Sequence, residues 1–315
     1  MDSLIYSLNA TIPVFLVIVA GFILKQIGIL NESFVKCANK FNFKVTLPVL
    51  LFVDLSATDI IGDFDLTYVL FCAGTTAVVF FGLWIGARLF LKDKTIVGEF
   101  VQAAYRSSAA ILGVAFIQNI YGDSGMAPVM IIGCVPLFNV FAVLVLTFEG
   151  EKNGNGAEHI KQSIINIAKN PIIIAIALGV VASISQIHFP EIIDKTLSSF
   201  AKMASPLALI TIGAGFEGKK AIAKIKPTMA AAIIKLLVLP VIFLPIAVKL
   251  GFRDQALIAL VIMLGSPTTP SSYIMAKNMG HEGVLTSSVV VATTLLSSIT
   301  LTFWIFALRY FGLIM

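Results

Sequence analysis

The residues of this 315-residue chain that could do chemistry are few, and they gather in two short runs. The first is Ser266-Pro267-Thr268-Thr269-Pro270-Ser271-Ser272, inside a long apolar stretch. Two prolines three apart remove two backbone donors and forbid regular helix there. The freed carbonyls and amides need water, a ligand or hydroxyls, because lipid offers nothing. Ser266, Thr268, Thr269, Ser271 and Ser272 supply hydroxyls at that level, either to line a substrate site or to heal a proline kink. The second run is Arg106-Ser107-Ser108, with Gly113 beyond it and no proline. A guanidinium inside a span costs roughly 2.5–3.5 kcal/mol on insertion scales and faces protein or a wet cavity, unless it snorkels to the nearer face. Lys235, ahead of Pro240 and Pro245, poses the same choice. Asn139, after Pro136, could line a site or bond helix to helix. Cations, hydroxyls and open backbone amides together suit a carboxylate. The candidate substrate-binding set is therefore Arg106, Ser107, Ser108, Ser266, Thr268, Thr269, Ser271, Ser272, Asn139 and Lys235, with Gly113, Pro267 and Pro270 holding the helix breaks.

What surrounds these runs excludes most other functions. Hydrophobic residues make up 58% of the chain and charged ones 12%, with a mean hydropathy of +0.98. Soluble domains carry about twice that charge, and disordered chains are far less apolar. The chain reads as an all-α integral membrane protein. Cys37, Cys72 and Cys134 are scattered and read as small buried apolar residues, without disulfide or metal spacing. His159, His188 and His281 fall in separate loops, so neither a metal site nor a catalytic triad assembles. Gly213-Ala214-Gly215-Phe216-Glu217-Gly218 matches a dinucleotide pattern but ends a hydrophobic helix, whereas that fingerprint follows a strand. No enzyme and no cofactor is expected. The 17 acids are placed at or near span ends or in loops, Glu99 being the deepest. A cation exchanger would bury carboxylates, so this core suits an anion.

Ten apolar stretches position the two runs, at about 4–24, 45–61, 66–91, 97–120, 126–148, 171–187, 203–217, 228–250, 255–276 and 284–309. The first has no basic residue before it and reads as a retained helix. With the N-terminus outside, cytoplasmic loops collect 15 of the 22 basic residues and outer loops five, with Arg106 and Lys235 inside spans. That asymmetry places both termini outside and residues 150–170 in the cytoplasm. The pI near 9.0 then reflects an anionic inner leaflet, with no nucleic-acid partner.

An internal repeat runs through the chain at an offset of 158 residues, pairing Pro13 with Pro171, Gly21 with Gly179 and Pro48 with Pro206. The same offset pairs Gly122 with Gly280 and Gly125 with Gly283. The halves, 1–149 and 171–315, meet at the polar linker 150–170 around Asn153-Gly154-Asn155-Gly156. Five helices per half is odd, so the second half inserts upside down, the inverted architecture of secondary transporters.

Leu47-Pro48-Val49-Leu50-Leu51-Phe52, Ser205-Pro206-Leu207-Ala208-Leu209 with Gly213, and the run from Pro267 to Gly280 resemble the auxin efflux carrier family, along the whole chain. That family includes plant auxin exporters and bacterial proteins regarded as malate or malonate permeases. The resemblance implies two inverted five-helix repeats, with helices 4 and 9 broken and crossing at the site. It implies a scaffold of helices 1, 2, 6 and 7, often dimeric, against which helices 3–5 and 8–10 move as an elevator. Ser108 and Ser271 stand where the family commonly has Asn, Ala115 stands for a Pro, and the long cytoplasmic loop of many plant members is missing. The expected protein is a multi-pass, homodimeric carrier of the cell membrane. It would move a small organic anion, an auxin-like monocarboxylate or a dicarboxylate such as malate, around breaks at 106–113 and 266–272. The coupling ion stays open. A passive anion channel or a transporter-like sensor is the alternative.

Overall fold

Apolar runs of this length become helices because no other structure satisfies an isolated backbone in lipid. A computed structural model describes residues 2–57, 65–110, 117–118, 120–121, 125–150, 156–187 and 189–314, and among these the chain is helical with no strand. In order they are α1 (Asp2–Gln26), α2 (Glu32–Phe41), α3 (Leu47–Ser56), α4 (Leu66–Phe90), α5 (Val97–Tyr105), α6 (Ala127–Phe148), α7 (Gly156–Ala168) and α8 (Pro171–Ile184). There follow α9 (Glu191–Ala214), α10 (Gly218–Ala223), α11 (Ile225–Ile233), α12 (Leu239–Lys249), α13 (Asp254–Gly265), α14 (Ser271–Asn278) and α15 (Val284–Tyr310). Two single π turns, Asn42–Thr46 and Ile234–Val238, join α2 to α3 and α11 to α12 without a break. Among the described residues five continuous helices are long and apolar enough to cross a membrane, or six if the 54° bend at Pro171 is counted within one span. α13 is apolar but shorter, at 12 residues.

Several boundaries differ from those expected. The seventh stretch is a 24-residue helix that begins at Glu191, not at 203, and Lys195 pairs with Glu191 at 2.5 Å near its start. The second is continuous with α2, so Lys36 and Lys40 ride an exposed helical face rather than a loop. Cys37 is exposed on that face, whereas Cys72 and Cys134 are buried. Capping follows ordinary rules: Asn31, Asp65 and Asn170 accept bonds from the first-turn amides of Phe34, Tyr68 and Ile172.

The interrupted helices are the core. Every residue of α5 is buried, as is α13 from Leu257 to Gly265. The long helices surround them and turn large apolar residues outward, among them Leu16, Phe90, Ile192 and Phe303, as lipid-facing surfaces do. α1 lies against α9 and α15, α3 against α8 and α9, α4 against α5 and α6, and α11 against α15. Glycines permit several close helix approaches. A Cβ on Gly21 would stand 2.3 Å from the Ile210 carbonyl oxygen, and one on Gly179 would stand 2.9 Å from Leu55 Cβ and 3.1 Å from the Phe52 carbonyl. Gly213 also packs on α1, beneath Ile18, which removes any reading of 213–218 as a nucleotide loop.

At one end of the bundle Arg88 pairs with Glu149 at 2.6 Å and Lys224 with Glu282 at 2.6 Å. The Lys224 hydrogen bond and charge hold the Glu282 carboxyl below its ordinary range. At the other end Tyr68 Oη donates to the Ala256 carbonyl and Asp254 N–H to that of Leu313.

Candidate functional site

Both core helices stop where they meet. α13 ends at Gly265 and Ser266 turns extended (ψ 164°), as Pro267 and Pro270 require. α5 ends at Tyr105 with Arg106 equally extended (ψ 143°), although no proline is present. The partner supplies the cause. Ser108 N–H donates to the Pro267 carbonyl at 3.0 Å, Thr268 Oγ1 to the Ala103 carbonyl at 2.7 Å, and Gln102 Nε2 to the Ser272 carbonyl at 3.0 Å. Each break thus satisfies backbone groups that the other exposes. Gly113 lies outside the described residues, so the far limit of the first break is not defined by them.

Beside this crossing lies a partly open cavity of about 60 Å³. One wall is Arg106, Ser107, Ser108, Phe138, Asn139, Thr269 and Ser271. The opposite wall comes from the π turn, α3 and α9: Asn42, Leu47, Leu50, Leu51, Asp54, Ala204 and Ser205. Arg106 is 2% exposed and does not snorkel. Its Nη2 donates to Asn139 Oδ1 at 2.8 Å and Ser271 Oγ at 2.9 Å, and its Nη1 to Met275 Sδ at 2.8 Å. All three acceptors are neutral, and no Asp or Glu among the described residues forms an ion pair with it. Arg106 Nε and Ser107 Oγ are buried with no hydrogen-bond partner among the described residues. The Asn139 amide is fixed by its own bond to the Val135 carbonyl at 2.9 Å, and Thr269 Oγ1 meets Ser271 Oγ at 3.1 Å.

Six of the ten expected binding residues therefore line one cavity: Arg106, Ser107, Ser108, Asn139, Thr269 and Ser271. Four lie elsewhere. Ser266, Thr268 and Ser272 are buried within the crossing, where Thr268 N–H also donates to Thr293 Oγ1. Lys235 is 0% exposed, and its ammonium donates to the carbonyls of Tyr105 (3.3 Å), Met263 (3.1 Å) and Leu264 (2.9 Å). An ammonium has three donors, so none remains for the cavity.

The expectation that acids stay at the periphery needs correction. Asp54 stands on the cavity wall, half-buried. Glu99 is buried and caps α15, accepting from Gly283 N–H (2.8 Å), Thr286 N–H (2.9 Å) and Thr286 Oγ1 (2.9 Å). A carboxylate at a helix N-terminus is well placed against the orphan donors and the dipole. Asn42, Asp54 and Ser205 escaped notice because they lie beside the Leu47-Pro48 and Ser205-Pro206 motifs, which read as family signatures rather than as a wall. Asn42 is anchored by Nδ2 to the Ala204 carbonyl at 2.8 Å. The described residues hold no cluster of His, Cys, Asp and Glu able to bind a metal ion.

The sequence is similar to proteins described as transporters. The family model described as "Membrane transport protein" matches residues 6–305. An "Uncharacterized transporter" of Methanothermobacter thermautotrophicus is 25% identical over 304 residues, which is 95% of this chain and 97% of that protein. A "Putative malonate transporter" of Rhizobium meliloti is 24% identical over 284 residues, 86% of each chain.

Proposed function

Because the chain belongs to the membrane transport protein family, the auxin efflux carriers that its motifs resemble, we propose that it is a secondary active transporter of a small organic anion. The observation that carries this reading is the Arg106 guanidinium, buried on a cavity wall among neutral partners with its Nε and the neighbouring Ser107 Oγ unmatched. A substrate carboxylate would take both donors, and charge-assisted bonds of this kind contribute about 1.5–3 kcal/mol each. Malonate- or malate-sized dicarboxylates and auxin-like monocarboxylates are the candidate substrates. The name of the Rhizobium meliloti relative favours the former.

An inverted repeat of five helices in 1–149 and five in 171–315 is supported by paired geometry. Gly21 packs on Ile210 and Gly179 on Phe52, and the 158-residue offset carries each pair onto the other. Leu47 and Ser205, also offset partners, both line the cavity. Gly125 and Gly283 both take positive φ, 43° and 73°, just before α6 and α15. Gly122 and most of the linker fall outside the described residues. In an elevator, α1–α3 and α7–α9 would be the scaffold and α4–α6 with α11–α15 the moving part. The cavity at their boundary suits that division, since sliding would carry Arg106 past a fixed wall. The scaffold would mediate a homodimer. The basic loops would face the cytoplasm, with both termini outside.

Purified protein in liposomes, loaded with unlabelled malonate and given radiolabelled malonate, malate or indole-acetate outside, tests the reading. Saturable exchange is the expected result; no flux of any carboxylate under any gradient, or flux that never saturates, would sink it.

A further inference from the structure

The three acceptors of Lys235 come from two different helix ends. Tyr105 is the last residue of α5, and Met263 and Leu264 lie in the last turn of α13. Carbonyls of a last turn lack intrahelical partners and together carry about half a negative charge per helix. Two such ends brought together in a buried core repel each other, and no water lies in lipid to screen them. The ammonium stands between them at 2.9–3.3 Å, with all three donors engaged. No Asp or Glu among the described residues pairs with it. Converging backbone carbonyls are also what a bare monovalent cation takes in place of its hydration shell.

The side chain is delivered by a specific device. Lys235 sits in the π turn Ile234–Val238, the extra-residue turn often found at functional sites. Trp304 Nε1 secures that turn from α15 by donating to the Leu236 carbonyl at 2.9 Å.

We propose that Lys235 is a built-in cation for the crossing: it occupies the place where a metal cation would otherwise join the two half-helix ends, so the crossing assembles without sodium or potassium. Lys235 is thus a positioning residue. It holds the turn from which Arg106 projects and does not touch the substrate. The consequence for flux rests on the carrier reading; the consequence for stability does not.

The test compares thermal unfolding, followed by tryptophan fluorescence, in sodium, potassium and N-methylglucamine chloride at equal ionic strength. Wild-type midpoints should coincide. Lys235→Met keeps the apolar stem and removes the charge; its midpoint should fall by roughly 5 °C or more in N-methylglucamine. Sodium or methylammonium should restore part of that loss by mass action. Wild-type protein that sodium or potassium stabilises would overturn the proposal, and this arm needs no variant. A Lys235→Met protein as stable as wild type, or one whose loss no small cation repairs, would overturn it too. In liposomes, wild-type exchange should be equal with and without sodium, and sodium-dependent exchange would contradict the inference. Absence of all exchange counts against the carrier reading alone, since the unfolding arm still decides.

Discussion

At the scale of single residues, Arg106 differs from ordinary buried arginines in having neutral partners only. Arg106→Ala should weaken carboxylate exchange about 10- to 100-fold in half-saturation, in line with a loss of roughly 1.5–3 kcal/mol. Arg106→Lys should recover little, because a point charge cannot reproduce the fork that serves Asn139, Ser271 and a ligand at once. Asp54 lines the opposite wall of the same cavity and opposes a second negative charge. Asp54→Asn should therefore lower the half-saturation constant for a dicarboxylate more than for a monocarboxylate, measured by competition with labelled malonate. Arg106 was legible in the sequence because a lone guanidinium in an apolar run needs a reason. Asp54 was not: it passes for one of the acids at or near span ends, although it stands well inside the stretch at 45–61. What brings it inward is the continuation of α3 back through the π turn into α2, a feature without a residue-type signature.

At the scale of elements, the two breaks are made by different means. Pro267 and Pro270 compel the second, and the sequence announced it. The first depends on Ser108 N–H finding the Pro267 carbonyl and on Lys235 holding the Tyr105 carbonyl, contacts across 130 residues or more that no local pattern reveals. Replacing both prolines by alanine should let helix run through 266–270. The variant should stay folded but lose most exchange, and hydrogen exchange should show new protection at those amides. Glu99 makes an opposite case, an acid that looked like a boundary residue and is a structural cap. Glu99→Gln would oppose an amide to three donors at the start of α15. It should cost about 2 kcal/mol, read as a lower unfolding midpoint with substrate affinity unchanged.

At the scale of the whole molecule, the repeat we propose rests on glycines and prolines that share one diagonal, and two of those glycines have a packing role. Gly21 and Gly179 let helices from opposite halves touch at backbone distance, but not equally. A Cβ at Gly21 meets a carbonyl oxygen at 2.3 Å, whereas one at Gly179 meets Leu55 Cβ at 2.9 Å. Gly21→Ala should therefore destabilise more than Gly179→Ala, by about 1–3 kcal/mol in overpacking, in paired unfolding experiments. The proposed orientation has a direct probe in the native cysteines. Cys37 is exposed on α2, and Cys72 and Cys134 are buried. An impermeant maleimide should label Cys37 from the cytoplasmic side only, and labelling of intact cells from outside would reverse the topology. The outlying boundaries, such as α9 beginning at Glu191, were missed because charges on a helix end were taken for the limit of the span.

The unequal breaks also impose an order on biogenesis. When span 4 leaves the ribosome, nothing in its own sequence forces it open, and the groups that will do so, Lys235 and Pro267, are 130 or more residues from being translated. The nascent N-terminal half must wait in the bilayer with a guanidinium that Asn139 can hold but that lacks Ser271 and Met275 until the C-terminal half arrives. The C-terminal half is in this sense a template for the N-terminal half, and a chain truncated at residues 150–170 should be cleared by membrane proteolysis rather than persist.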